Sequence, residues 1–129
     1  IALASDDFEK AKASGVAMNN SLGKIDMNLF KGDAHSLWMQ QSTALKTVLQ
    51  HIEHLGDIKA IREKFISISN SMIATAESFD PLSTTIYVQH CPMAGSNNGA
   101  DWLSLDKEIQ NPYFGESMLS CGENTKTIK

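Results

Sequence analysis

The sequence predicts an all-α protein: an antiparallel three-helix bundle, up-down-up, followed by an irregular C-terminal segment with a short strand and a short helix. Three observations predict it. Apolar residues recur three and four apart along three stretches before residue 80, capping residues bound each stretch, and the connections are short. The expected organisation is a single domain over 1–129, with the bundle at 5–80 and a chemically distinct segment at 82–129.

The first helix is expected at 5–25. Ser5 offers an N-cap, Asp6, Asp7 and Glu9 supply acidic first-turn charge, and Phe8, Ala11, Gly15, Met18, Leu22 and Ile25 form one stripe. Gly15 costs about 1 kcal/mol against Ala in a helix interior, which points to close helix approach there. Lys31-Gly32-Asp33 breaks the pattern, and Asp33 caps a second helix at 33–55 with the stripe Trp38, Gln41, Leu45, Val48, Ile52 and Leu55. Gly56 then ends that helix and Asp57 caps the third, at 57–80. Its stripe is Ile58, Ile61, Phe65, Ile68, Met72, Thr75 or Ala76, and Phe79, stopped by Pro81. So short a link at Gly56-Asp57 turns the second and third helices back on each other.

From Leu82 onward the grammar changes. Thr84-Thr85-Ile86-Tyr87-Val88 is β-branched and aromatic, so an extended segment is expected. Gly95-Ser96-Asn97-Asn98-Gly99 is expected as a turn or a flexible loop, Ser104 can cap a short helix through Ile109, and Asn111-Pro112 ends it. The polar tail Thr125–Lys129 is expected to fray.

Composition excludes several classes. With 42% apolar and 20% charged residues among 129, the chain is that of a globular domain. A net charge of −4 without a Lys/Arg run argues against nucleic acid as partner. No apolar stretch approaches the roughly 20 residues of a membrane-spanning helix. Nucleophile-elbow and phosphate-loop motifs are missing, so the protein is not expected to be an enzyme.

The chemistry-bearing residues cluster late. Both cysteines lie in His90-Cys91-Pro92-Met93 and Met118-Leu119-Ser120-Cys121, each group beside Pro or Gly. Thiolate, thioether and imidazole suit Cu(I), and thiolate or imidazole also suits zinc. His90, Cys91, Met93, Met118 and Cys121 are therefore the candidate metal ligands, and 82–129 the candidate metal-binding segment. Copper as Cu(I) is the first expectation, with zinc or silver as alternatives. Against this stands a Cys91–Cys121 disulfide that ties an irregular tail together in a non-metal interaction module. A Cys-x-x-Cys redox centre is disfavoured, because 29 residues separate the two cysteines. His51 and His54 flank the second stripe and are expected to be solvated; His35 has no evident partner. Trp102, Tyr113 and Phe114 are expected to wall the site.

The run from Tyr87 through Cys91-Pro92-Met93, Gly99-Ala100-Asp101-Trp102-Leu103-Ser104, Glu108–Gly115 and Met118–Glu123 resembles a bacterial envelope family catalogued as domain of unknown function 3347. The likeness is close over about the last 40 residues and looser over the helices. It implies a periplasmic or cell-envelope protein, its signal peptide removed. Because the same domain occurs attached to adaptor subunits of Cus-type copper and silver efflux pumps, it also implies heavy-metal handling with such an adaptor, or another envelope protein, as partner. Cys91-Pro92-Met93 further resembles the Cys-Pro-Met-His hook of heavy-metal-binding domains in copper transporters, with Ala94 replacing the final His.

Overall fold

The computed structural model describes all 129 residues. Three helices fall inside the expected spans: α1 (Phe8–Leu22), α2 (Asp33–Leu49) and α3 (Ile58–Phe79). Asp7 rather than Ser5 caps α1, its carboxylate accepting from the Lys10 amide, and Asp57 caps α3 through the Ala60 amide. The expected ends of the first two helices contract. A 3-10 turn at Met27–Leu29 and another at Ile52–His54 take the chain around the corners.

Packing fixes the relative directions. Trp38 at the start of α2 meets Phe79 at the end of α3, ring centroids 6.4 Å apart, with Phe30 stacked on Trp38 at 5.3 Å. α2 and α3 therefore run antiparallel, as the short link between them requires. Leu3, Ala11, Leu22, Trp38, Leu45, Leu49, Ile52, Ile61 and Ile68 form the buried core of this layer. Gly15 fulfils its expectation: a Cβ there would sit 2.5 Å from Ile52 Cδ1, so glycine is what lets α1 lie against the turn after α2.

The all-α expectation fails beyond residue 82. The chain is mixed α/β, with a three-stranded antiparallel sheet in the order β2-β1-β3, formed by β1 (Ile86–Cys91), β2 (Ala100–Ser104) and β3 (Glu123–Ile128). Tyr87 pairs with Ser104 and Cys91 with Ala100, while β1 and β3 slip register between Val88 and Gln89. The tail does not fray, because hydrogen bonds to β1 hold it and Ile128 is buried beside Ile86 and Val88. Nor does a helix follow Ser104. Its hydroxyl accepts from the Asp106 amide, and the carbonyls of Asp106 and Lys107 accept from Nε2 of buried Gln89. A side chain from β1 thus takes the carbonyls that a helix would have used.

α3 joins the layers because it is apolar on two faces. Ile61 and Ile68 enter the helical core, whereas Ile66, Ser69, Ile73 and Ala76, again three and four apart, meet the C-terminal segment. No helix is long and apolar enough to cross a membrane.

Candidate functional site

Cys91 is the last residue of β1 and is fully buried, among Ala94, Ala100, Trp102 and Tyr113. Its floor is α3: Phe65 lies 5.6 Å from the Tyr113 ring, centroid to centroid, and Tyr113 lies 5.9 Å from Trp102. Pro92 and Met93 follow, then Gly95, Ser96 and Asn97 take left-handed backbone angles (φ 61°, 57° and 65°) that swing the chain into β2. The expected Gly95–Gly99 turn is therefore present, and it sets the register Cys91↔Ala100.

Cys121 arrives from the other direction. A one-turn 3-10 helix, Gly115–Met118, precedes it, and its amide donates to the Met118 carbonyl at 3.0 Å. Asn111, with no exposed surface, organises this loop: its Nδ2 donates to the Cys121 carbonyl at 2.8 Å, and its Oδ1 accepts from the amides of Tyr113 and Phe114. Gly122 completes the approach. It adopts φ 137°, and a Cβ there would lie 2.8 Å from the His90 carbonyl, so only glycine lets the chain close on β1 at this point.

These two placements bring the cysteines together. Both are free, and Cys91 Sγ lies 3.9 Å from Cys121 Sγ, one thiol buried and the other partly open. The remaining candidates are placed differently. His90 precedes Cys91 in a strand, so its ring leaves the opposite face, and its Nδ1 lies 2.6 Å from Asp101 Oδ1 across the β1–β2 pair. Met93 is 47% exposed, and Met118 meets the pair only through the backbone turn to Cys121, outside the cluster that packs Cys91. No group of three His, Cys, Asp or Glu side chains converges to hold an ion.

Electrostatics favour protonated groups here. Burial, reinforced by the neighbouring Cys91 thiol, pushes the Cys121 thiol up from its ordinary value. Such a thiol is a poor nucleophile at neutral pH, unlike a catalytic cysteine. Burial likewise pushes the Tyr113 phenol up to about 12; its hydroxyl donates to the Asp101 carbonyl at 2.6 Å.

The arrangement suits a small thiophilic ion. Two thiolates on one ion, with metal–sulfur bonds of about 2.3 Å, stand about 3.8 Å apart at a tetrahedral angle and about 4.6 Å apart when linear. The observed 3.9 Å falls inside that range. It is also a contact from which the sulfurs can close to a disulfide.

Sequence reasoning singled out both cysteines but missed Asn111 as the loop's organiser, because Asn-Pro carries a strong helix-stop signal of its own. Asp101 was missed as the His90 partner, since only strand pairing brings residues 11 positions apart together.

No curated protein and no solved structure matches this chain. A family model does: "Protein of unknown function (DUF3347)" matches residues 2–84. The match covers the three helices, whereas the likeness noted in the sequence was closest beyond them. Spanning well over half of its length, it shows that this chain belongs to the DUF3347 family.

Proposed function

We propose that this protein binds one soft monovalent cation, Cu(I) or Ag(I), through the thiolates of Cys91 and Cys121. The observation that carries this reading is the 3.9 Å between two free thiols delivered by separate loops. Two anionic sulfurs satisfy a thiophilic ion that accepts a low coordination number, whereas structural zinc takes four ligands. With no third His, Cys, Asp or Glu at the pair, zinc fits poorly. Met118, one backbone turn before Cys121, is a further soft donor on the same loop. Binding rather than catalysis is the role, in the bacterial cell envelope. The resemblance to domains carried by copper and silver efflux adaptors supports metal tolerance or delivery, with such an adaptor as partner.

The same spacing favours a second reading, in which the two cysteines form a disulfide in an interaction module without metal. A thiol count on native protein separates the two: two reactive thiols after unfolding for the first, none for the second. The metal reading is tested by titrating reduced protein with Cu(I) against a chromophoric chelator. One equivalent should bind, Cys91→Ser or Cys121→Ser should weaken binding at least a hundredfold, and His51→Ala should leave it unchanged. Undiminished binding after loss of both cysteines would refute the site.

A further inference from the structure

The thiol pair is closed on one side and open on the other. Cys91 has no exposed surface: Ala94, Ala100, Trp102 and Tyr113 pack around it, with Phe65 and Ile66 of α3 beneath. Interiors packed in this way leave no gap through which a complexed ion could pass. Cys121 sits at the rim. It is partly exposed, and the turn that leads to it is open to water, with Ser117 and Ser120 exposed and Leu119 38% exposed. A metal complex approaching from solvent therefore meets Cys121 first, and Cys91 Sγ lies 3.9 Å behind Cys121 Sγ.

The backbone on the two sides differs in the same sense. Cys91 ends the central strand β1, paired with Ala100 on β2. Cys121 lies outside the sheet, ahead of β3, held by the Met118 carbonyl and the Asn111 side chain. A central strand opens only with most of the fold, whereas a surface turn held by two hydrogen bonds opens locally. The thiol that is freer to move is also the accessible one.

We propose that the two thiols divide the handling of the ion between them, an inference that rests on the reading of the pair as a Cu(I) site. Cys121 is the exchange ligand, through which copper enters and leaves. Cys91 is the retention ligand, reached only by an ion already on Cys121. Entry from a bis-thiolate donor is ligand exchange without electron transfer. Cys121 gives up its proton as its sulfur–copper bond forms, and one donor thiolate leaves and takes up a proton. Cys91 repeats the exchange and displaces the second donor thiolate, and copper stays Cu(I) throughout. Release retraces the route, because a competing ligand can replace Cys121 but does not reach Cys91.

Two measurements test this order. N-ethylmaleimide added to reduced, metal-free, native protein should modify one thiol, assigned to Cys121 by peptide mass mapping, and should reach Cys91 only after unfolding. The second is stopped-flow uptake from the Cu(I)–glutathione complex, followed by thiolate-to-copper absorption. Cys91→Ser should capture copper at the wild-type rate and release it to a chelator at least about tenfold faster, whereas Cys121→Ser should capture it at least about tenfold more slowly. Substitutions at a site commonly lower affinity through dissociation alone, so a slowed capture confined to Cys121→Ser is the signature of the route. Should Cys91→Ser not fold, Cys91→Ala, which keeps the small apolar character of the buried position, gives the same comparison. Alkylation of Cys91 first, or capture slowed alike by the two substitutions, would overturn the order while leaving copper binding intact. Wild-type protein with two free thiols that takes up no Cu(I) would overturn the binding reading and this route with it.

Discussion

Replacing Asn111 with Ala tests whether one buried side chain holds the thiol pair together. The substitution removes a 2.8 Å bond to the Cys121 carbonyl and two bonds accepted from the Tyr113 and Phe114 amides, at 2.8 and 3.2 Å. Each bond contributes about 1 kcal/mol net, and partners left buried without replacement add a desolvation cost, so the loss should be about 3–5 kcal/mol. The bonds of Asn111's own backbone, to the Leu119 carbonyl and from the Gly115 amide, do not depend on the side chain. The loop should therefore loosen rather than vanish. Urea unfolding followed by tryptophan fluorescence gives the stability, and the reaction of each thiol with an aromatic disulfide reagent gives the local effect. Cys91 should react markedly faster once the Cys121 loop lifts, and Cu(I) affinity should fall along with the loss of stability. A loss below about 1 kcal/mol with unchanged thiol reactivity would show that Asn111 does not organise the site.

Three further outcomes follow from charge and burial. Apparent Cu(I) affinity should rise with pH, by about tenfold per unit from the Cys121 proton alone, because metal displaces that proton from a thiol whose value burial has raised; competition titrations at several pH values would measure it, and a flat profile would count against thiolate ligation. Arg62 lies 2.7 Å from Asp6 and holds its carboxyl below the ordinary 3.8, so this pair stabilises the fold above that value and the contribution is lost as pH falls through the lowered one. Asp6→Asn should flatten the acid limb of a stability–pH curve. Tyr113 behaves oppositely: raised from 10.0 to about 12, it adds stability that is complete below pH 10 and lost as pH climbs toward 12, so Tyr113→Phe should blunt alkaline unfolding in that window.

The helices were legible because their signals are local. Asp57 and the stripe from Ile58 to Phe79 specify α3 almost to the residue. Only the ends of α1 and α2 drifted, where competing caps sit close together, as with Ser5 and Asp7. The sheet was poorly legible for two reasons. β3 is an edge strand with one buried residue, Ile128, so its sequence Glu-Asn-Thr-Lys-Thr-Ile carries no apolar alternation to distinguish it from a solvated tail. β2 follows a left-handed turn, and its Asp101 is a poor strand former retained through the cross-strand bond to His90. The cysteines were identified by type, whereas their proximity comes from tertiary pairing that no spacing rule contains. His90 was grouped with Cys91 by adjacency, which strand geometry turns into opposite directions.

One sequence signal for the missing layer was present in α3. The stripe through Ile61, Phe65, Ile68 and Met72 accounts for one face, and it leaves Ile66 and Ile73 as two large apolar residues seven apart on the other side. A surface helix of a simple bundle keeps that side polar, so a second apolar line marks a helix covered twice. Ser69 and Ala76 extend the line with small residues, which lets a sheet approach closely. The structure places Ile66 beneath Cys91's cluster and Ile73 beneath Ile86 and Val88, so this line is the seat of β1 and of the loops that carry the thiols. The match to residues 2–84 includes α3 and stops just short of β1. The helical unit therefore presents the floor, while the chain beyond it supplies the sulfur. Phe65, touching both clusters, couples the packing of the helical core to the wall of the thiol pair.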